Sequence, residues 1–293
     1  VIIMFRPKSA WFVAAVVVWF VPPAVVGLAP QWWSRVVSVR EHVLASPFFP
    51  AAAGVPPGTT TVEIPLRDGG RMSAFEATKE GEGVVVMVHE FFGLTPSICA
   101  RARALADALN RTVVAPDTFR GATTTFVPRA IWLALTTPQE RVDNDLEDVL
   151  RYYGRPKAAV VGFCYGGGKA LRFALNRRRD AGVVVFYGSP VTDKAQLATL
   201  AAPVLAIFGG RDPQFPPPLL EAFRDAESGT EFYFQLYKSK GHAFVDMDAI
   251  TRGDADAIAA FASCVAFLDT FFGNDDDDDE NNPREDGEAS EDQ

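Results

Sequence analysis

Between Thr60 and Gly273, short β-branched runs alternate with helix-like segments, and this alternation restricts the fold more than any other feature. The runs are TVEIPL (61–66), VVVMVHE (84–90), TVVAPD (112–117), AAVVGF (158–163), VVVFYG (183–188), PVLAIFGG (203–210) and EFYFQLY (231–237). Several are apolar at every position rather than at every second one, the pattern of strands covered on both faces. Helical patterns lie between them at 97–109, 139–153, 167–177, 217–227 and 253–272. Repeating strand–helix units predict an α/β domain over 60–273: a doubly wound, mostly parallel sheet flanked by helices on both faces, with right-handed crossovers.

The flanks differ from this middle. Trp11 to Pro30, WFVAAVVVWFVPPAVVGLAP, carries no charge and follows Arg6 and Lys8. Positive residues, an apolar run and then small residues make a targeting-signal pattern over 1–30. The run is also nearly long enough to span a bilayer, although Pro22-Pro23 would break a straight helix. A secretory or organellar signal is therefore expected, with a membrane anchor through 11–30 as the alternative. Residues 31–59, rich in Pro and Ala, read as a connector. The segment 274–293 holds eleven acidic residues against one Arg. The whole chain has a net charge of -9, so the remainder is close to neutral, at about +1. A tail so charged and so poor in apolar groups is expected to be disordered. The near-neutral remainder has no basic stripe of the kind that binds nucleic acid.

In open α/β sheets the ligand sits beyond the carboxyl ends of the strands. The residues at those exits include His89-Glu90-Phe91, Pro116-Asp117, Cys164-Tyr165, Gly210-Arg211-Asp212 and Gly241-His242. A thiol, a carboxylate and an imidazole occur there in the order Cys164, Asp212, His242, the order in which α/β-hydrolases carry nucleophile, acid and base. Cys164 stands at the tip of AAVVGFCYGGGKAL, a strand, a glycine turn and a helix start. A helix N-terminus aimed at the sulfur favours the thiolate. His242, in SKGHAF, suits a general base, and Asp212, in FGGRDPQFPP, is placed to orient it. Each has a plain alternative: a buried apolar cysteine, a surface histidine, a turn-capping aspartate. All three alternatives holding together, in this order and each after a strand, is the less economical account.

Three cysteines do not make a disulfide framework, and a resolving cysteine for redox chemistry is not evident. The three histidines are scattered, and no C-x-x-C or H-x-x-x-H spacing occurs, so neither a metal nor another cofactor is expected.

The stretches VMVHEFFGL, APDTF, VGFCYGGG and GGRDPQFP…GHAF together resemble the dienelactone hydrolase family of α/β-hydrolases, over about residues 60–273. The resemblance implies hydrolysis of a carboxylic ester or lactone through an acyl-thiol intermediate, by a triad of Cys164, His242 and Asp212. It maps onto Glu90 a carboxylate that contacts the nucleophile and helps set its ionisation. It places the oxyanion hole at the backbone N–H groups of Phe91 and Tyr165, one after an early strand and one after the nucleophile. Family members also hold a substrate carboxylate with two arginines. Arg120, in APDTFRG, matches one, offset by a residue; the other position is Asp246. A carboxylate there repels an anion, so a neutral ester or lactone is at least as well accommodated. A broader carboxylesterase or thioesterase with the same triad, and a non-catalytic member of the fold, are the rival readings. A monomer is expected.

Overall fold

The computed structural model describes residues 60–154, 157–226 and 230–273. The apolar run and connector at 1–59 and the acidic tail at 274–293 lie outside the described residues. The described residues open with three strands, β1 (Thr60–Pro65), β2 (Arg71–Ala77) and β3 (Gly81–Val88). It continues through α1 (Pro96–Leu109), β4 (Arg111–Pro116), α2 (Val127–Thr136), α3 (Gln139–Tyr153) and β5 (Ala158–Phe163). Then come α4 (Tyr165–Asn176), β6 (Gly182–Phe186), α5 (Lys194–Leu197), β7 (Val204–Gly209) and α6 (Pro217–Asp225). The last elements are β8 (Phe232–Tyr237), α7 (Met247–Thr251) and α8 (Ala255–Gly273).

One eight-stranded sheet runs in the order β1-β2-β4-β3-β5-β6-β7-β8. From β4 to β8 all neighbours are parallel, whereas β2 is antiparallel to both β1 and β4. The order moves one way from β3 to β4 and the other way from β3 to β5. Right-handed crossovers therefore send α1 to one face and α3 and α4 to the other. Packing agrees: α3 lies against α4, while α1 lies against α8, which covers β6 and β7. The central strands β5, β6 and β7 are buried at every residue, as their unbroken apolar runs require. α8 is long and apolar enough to cross a membrane by composition, but 67% of that window is buried inside the protein. It is the core helix of this face, not a span.

The strand at β2 was not expected from the sequence. RMSAFEA alternates exposed and buried positions only over Arg71–Ala74, Phe75 and Ala77 being buried as well, and its three polar or charged residues weaken the apolar signal. The helix α2 was likewise missed. Its outer face carries Val127, Ile131, Trp132 and Leu135, all exposed, so VPRAIWLALT shows no polar stripe from which a helical period could be read.

Candidate active site

Cys164 is the residue at which β5 turns into α4. Its backbone has φ 53° and ψ -115°, a left-handed φ that a side chain adopts only when its surroundings impose it. The turn is imposed by close backbone approach on both sides. A Cβ on Gly162 would overlap the Gly166 carbonyl, and one on Gly166 would overlap the carbonyl of Val88 in β3. Only glycine fits at either position. The Cys164 amide donates to the Phe186 carbonyl at 2.9 Å, tying the tip to β6. The sulfur is half-buried rather than sealed in. All three cysteines are free. Burial pushes the Cys99 thiol up to about 11 and raises that of Cys264 also, so both are unreactive thiols.

His242 leaves the loop after β8 and reaches Cys164 across the ends of β6 and β7. Its Nε2 lies 3.0 Å from Cys164 Sγ, and its Nδ1 lies 2.6 Å from Asp212 Oδ2. Asp212 comes from the loop after β7, and its side chain is fully buried. Its other oxygen accepts the Gln214 amide at 2.9 Å, which fixes the carboxylate plane. Tyr187, at the exit of β6, presents its ring edge-on to the imidazole at 5.2 Å and donates its hydroxyl to the Val245 carbonyl at 3.2 Å. The histidine loop is thereby packed from behind. Burial alone would lower the basicity of His242, but hydrogen bonds to Asp212 and Cys164 outweigh it and push its pKa up to about 10. The ring therefore holds its proton at neutral pH, beside the sulfur.

The exits of β3 and β5 supply the amides of Phe91 and Tyr165. Among the described residues neither N–H donates a hydrogen bond. Unpaired backbone N–H donors at strand exits are the kind of group that can stabilise a negative charge developing during a reaction.

Glu90 is placed differently from what the resemblance implies. Its carboxylate accepts from Arg101 Nη1 at 3.1 Å. Among the described residues no hydrogen bond joins Glu90 to Cys164; the sulfur is bonded to His242 instead. Arg101 projects from α1, is 3% exposed, and lies over the Phe163 ring at 4.7 Å. Sequence reasoning overlooked it, because a basic residue in ICARARALADAL reads as the solvent face of a helix. Arg120 is also engaged. Its guanidinium donates to Asp145 Oδ1 at 2.5 Å and to Asp68 Oδ2 at 2.7 Å, and those carboxylates hold it firmly charged. Asp246 caps α7 by accepting the Ala249 amide at 2.7 Å.

The dienelactone hydrolase family profile matches residues 72–272, most of the chain and the whole of this site. The chain belongs to the dienelactone hydrolase family. A relative from Escherichia coli K12, provisionally named a carboxymethylenebutenolidase, is 28% identical over 235 residues, covering 68% of this chain and 86% of its own. Carboxymethylenebutenolidase 1 of Cupriavidus pinatubonensis is 29% identical over 168 residues, 52% of this chain and 71% of its own. A crystal structure from Klebsiella pneumoniae, provisionally assigned as a dienelactone hydrolase, superposes with a TM-score of 0.63 at 23% identity. It covers 72% of this chain and 97% of its own. The eight-stranded, mostly parallel sheet with helices on both faces is thus the α/β-hydrolase fold of the dienelactone hydrolases.

Proposed function

We propose that this member of the dienelactone hydrolase family hydrolyses an uncharged carboxylic ester or lactone through an acyl-thiol intermediate on Cys164. The observation that carries the reading is the unbroken hydrogen-bonded chain from Cys164 Sγ through His242 to Asp212. The sulfur adds to the substrate carbonyl, and the resulting oxyanion is received by the Phe91 and Tyr165 amides. His242 gives its proton to the alkoxide as the carbon–oxygen bond breaks, leaving an acyl-thiol and a neutral imidazole. That imidazole then takes a proton from water as the water attacks the acyl carbon. Collapse of the second oxyanion expels the thiolate, and the protonated ring is again beside it. Asp212 holds the ring orientation and stabilises its charged form throughout. A lactone keeps its alkoxide tethered to the acyl group, but the proton transfers are the same.

An uncharged substrate is favoured by the state of Arg120, which is occupied by Asp68 and Asp145, and by Asp246 at the second expected cation position. The test is a panel of neutral and anionic esters and lactones, offered to the full chain and to Cys164→Ala. The reading requires turnover of at least one neutral member and its loss in the variant. Equal turnover by both proteins would refute it.

A further inference from the structure

We propose that His89 is a positioning residue for the oxyanion donor: its ring fixes the Glu90–Phe91 peptide unit, and so the direction of the Phe91 N–H. The inference rests on the acyl-thiol reading above.

His89 directly follows β3 and is fully buried. Its Nδ1 lies 2.7 Å from the Glu90 carbonyl oxygen, and its Nε2 lies 2.9 Å from Thr118 Oγ1. A carbonyl oxygen only accepts, so Nδ1 must carry the proton. Nε2 is then bare and accepts from the Thr118 hydroxyl. Burial keeps the ring neutral, lowering its basicity despite Asp117, whose Oδ1 is 3.9 Å from Nε2, and Glu90 beside it. The ring is also packed in place, edge-on to Phe119 at 4.7 Å and stacked on Tyr165 at 6.0 Å.

The Glu90 carbonyl and the Phe91 N–H belong to one planar peptide unit. Whatever holds the oxygen also aims the hydrogen, on the opposite side. That oxygen receives a second donor, the Gly93 amide at 3.1 Å. Two hydrogen bonds on the carbonyl polarise the amide, and chains of such bonds strengthen one another. The Phe91 N–H is thereby both directed and made a better donor. Thr118 lies on the loop after β4, so His89 also ties the exit of one strand to that of its neighbour. A fully buried histidine bonded at both nitrogens passes for ordinary core packing; here the atom it holds is the far end of a catalytic donor.

The experiment compares ester turnover with alkylation of Cys164 by iodoacetamide, using the full chain. Alkylation displaces iodide from carbon and forms no oxyanion, so it reports on the thiolate and its access alone. In His89→Leu, which lacks both ring hydrogen bonds, kcat should fall about 10- to 100-fold, a large part of the effect of deleting an oxyanion donor, with KM changed less than about threefold. The rate of Cys164 alkylation, read by peptide mapping, should change less than about twofold. His89→Asn keeps a donor close to the Nδ1 position and should recover part of kcat. Thr118→Val removes the hydroxyl that anchors Nε2 and holds the ring in place; it should lower kcat in the same selective way, and it serves where His89→Leu does not fold. Parallel losses of turnover and alkylation, or unchanged kcat in Thr118→Val and His89→Leu, would overturn the proposal. Turnover by Cys164→Ala equal to wild type would instead remove the acyl-thiol reading on which it stands.

Discussion

His242 reaches Cys164 at 3.0 Å although 78 residues separate them in the chain. The contact exists because β5 and β8 end at the same edge of one parallel sheet, with β6 and β7 between them. Convergence at the carboxyl ends of parallel strands is what the topology provides. What the chain adds is a strained cysteine tip, a buried carboxylate and a histidine loop braced by Tyr187.

The protonated imidazole gives the first prediction. The ring's pKa is raised from 6.5 to about 10 in the folded protein. A raised value means that the stabilisation is complete below 6.5 and is lost as pH rises towards about 10. Thermal melts across that window should show an alkaline decline that His242→Gln lacks. The alkaline limb of kcat, where the proton for the leaving group runs out, should lie well above neutrality. A limb near 6.5, the ordinary value for a free ring, would show that the pairing with Asp212 and Cys164 does not hold in solution.

Asp212→Asn tests the orienting carboxylate. The amide retains an oxygen for Gln214 but loses the charge that stabilises the imidazolium. The expected loss in kcat is on the order of 100-fold or more, with a lower melting temperature at neutral pH, because the charge that raises the His242 pKa is gone. A loss below about threefold would mean that Asp212 does not support the ring during turnover.

The elbow glycines should tolerate nothing larger. Gly166→Ala pushes a methyl group into the carbonyl oxygens of Val88 and His89. Both are backbone, so relief requires moving the end of β3, which leads to Phe91. Chemical denaturation should show a loss of about 1–3 kcal/mol or more, with activity falling further than stability accounts for. A change within about 0.5 kcal/mol, the range of a surface substitution, would contradict the packing described.

The Glu90–Arg101 pair is buried on the arginine side, at 3% exposure. Arg101→Met leaves the carboxylate without its partner and should destabilise by about 3–5 kcal/mol. Adding Glu90→Gln removes the orphaned charge and should recover part of that loss. Equal destabilisation by the single and double variants in urea melts would show that the two side chains are not coupled.

Arg120 separates two accounts of substrate charge. Its ion pair with Asp145 is buried on the carboxylate side, so Arg120→Gln should reduce stability. It should change kcat/KM for neutral and anionic esters alike. A selective loss on the anionic esters would restore Arg120 as a substrate-binding residue.

Much of this organisation was legible in the sequence. The unbroken apolar runs of β3, β5, β6 and β7 announce strands covered on both faces, and strand exits are where chemistry collects in a parallel sheet. That rule alone brings Cys164, Asp212 and His242 to attention, and the structure brings their side chains into contact. The remainder was hidden for physical reasons. In β2, Arg71, Ser73 and Glu76 interrupt the apolar run, and its seven residues are too short a sample for either strand period to be read. α2 exposes its apolar face, so it lacks the polar stripe by which helices are recognised. Arg101 reads as a solvated helix residue until the fold turns it under the sheet edge towards Glu90. His89 carries no signal of its role, because that role lies in which carbonyl its Nδ1 meets.

The account stands on acyl transfer to one sulfur. Its most direct measurement is rapid-quench mass spectrometry of the full chain turning over an activated neutral ester, stopped in acid and mapped by peptide. One acyl group should appear on the Cys164 peptide at early times and decline as substrate is exhausted. Steady turnover with that peptide unmodified at every time, or with the acyl group on another residue, would contradict it.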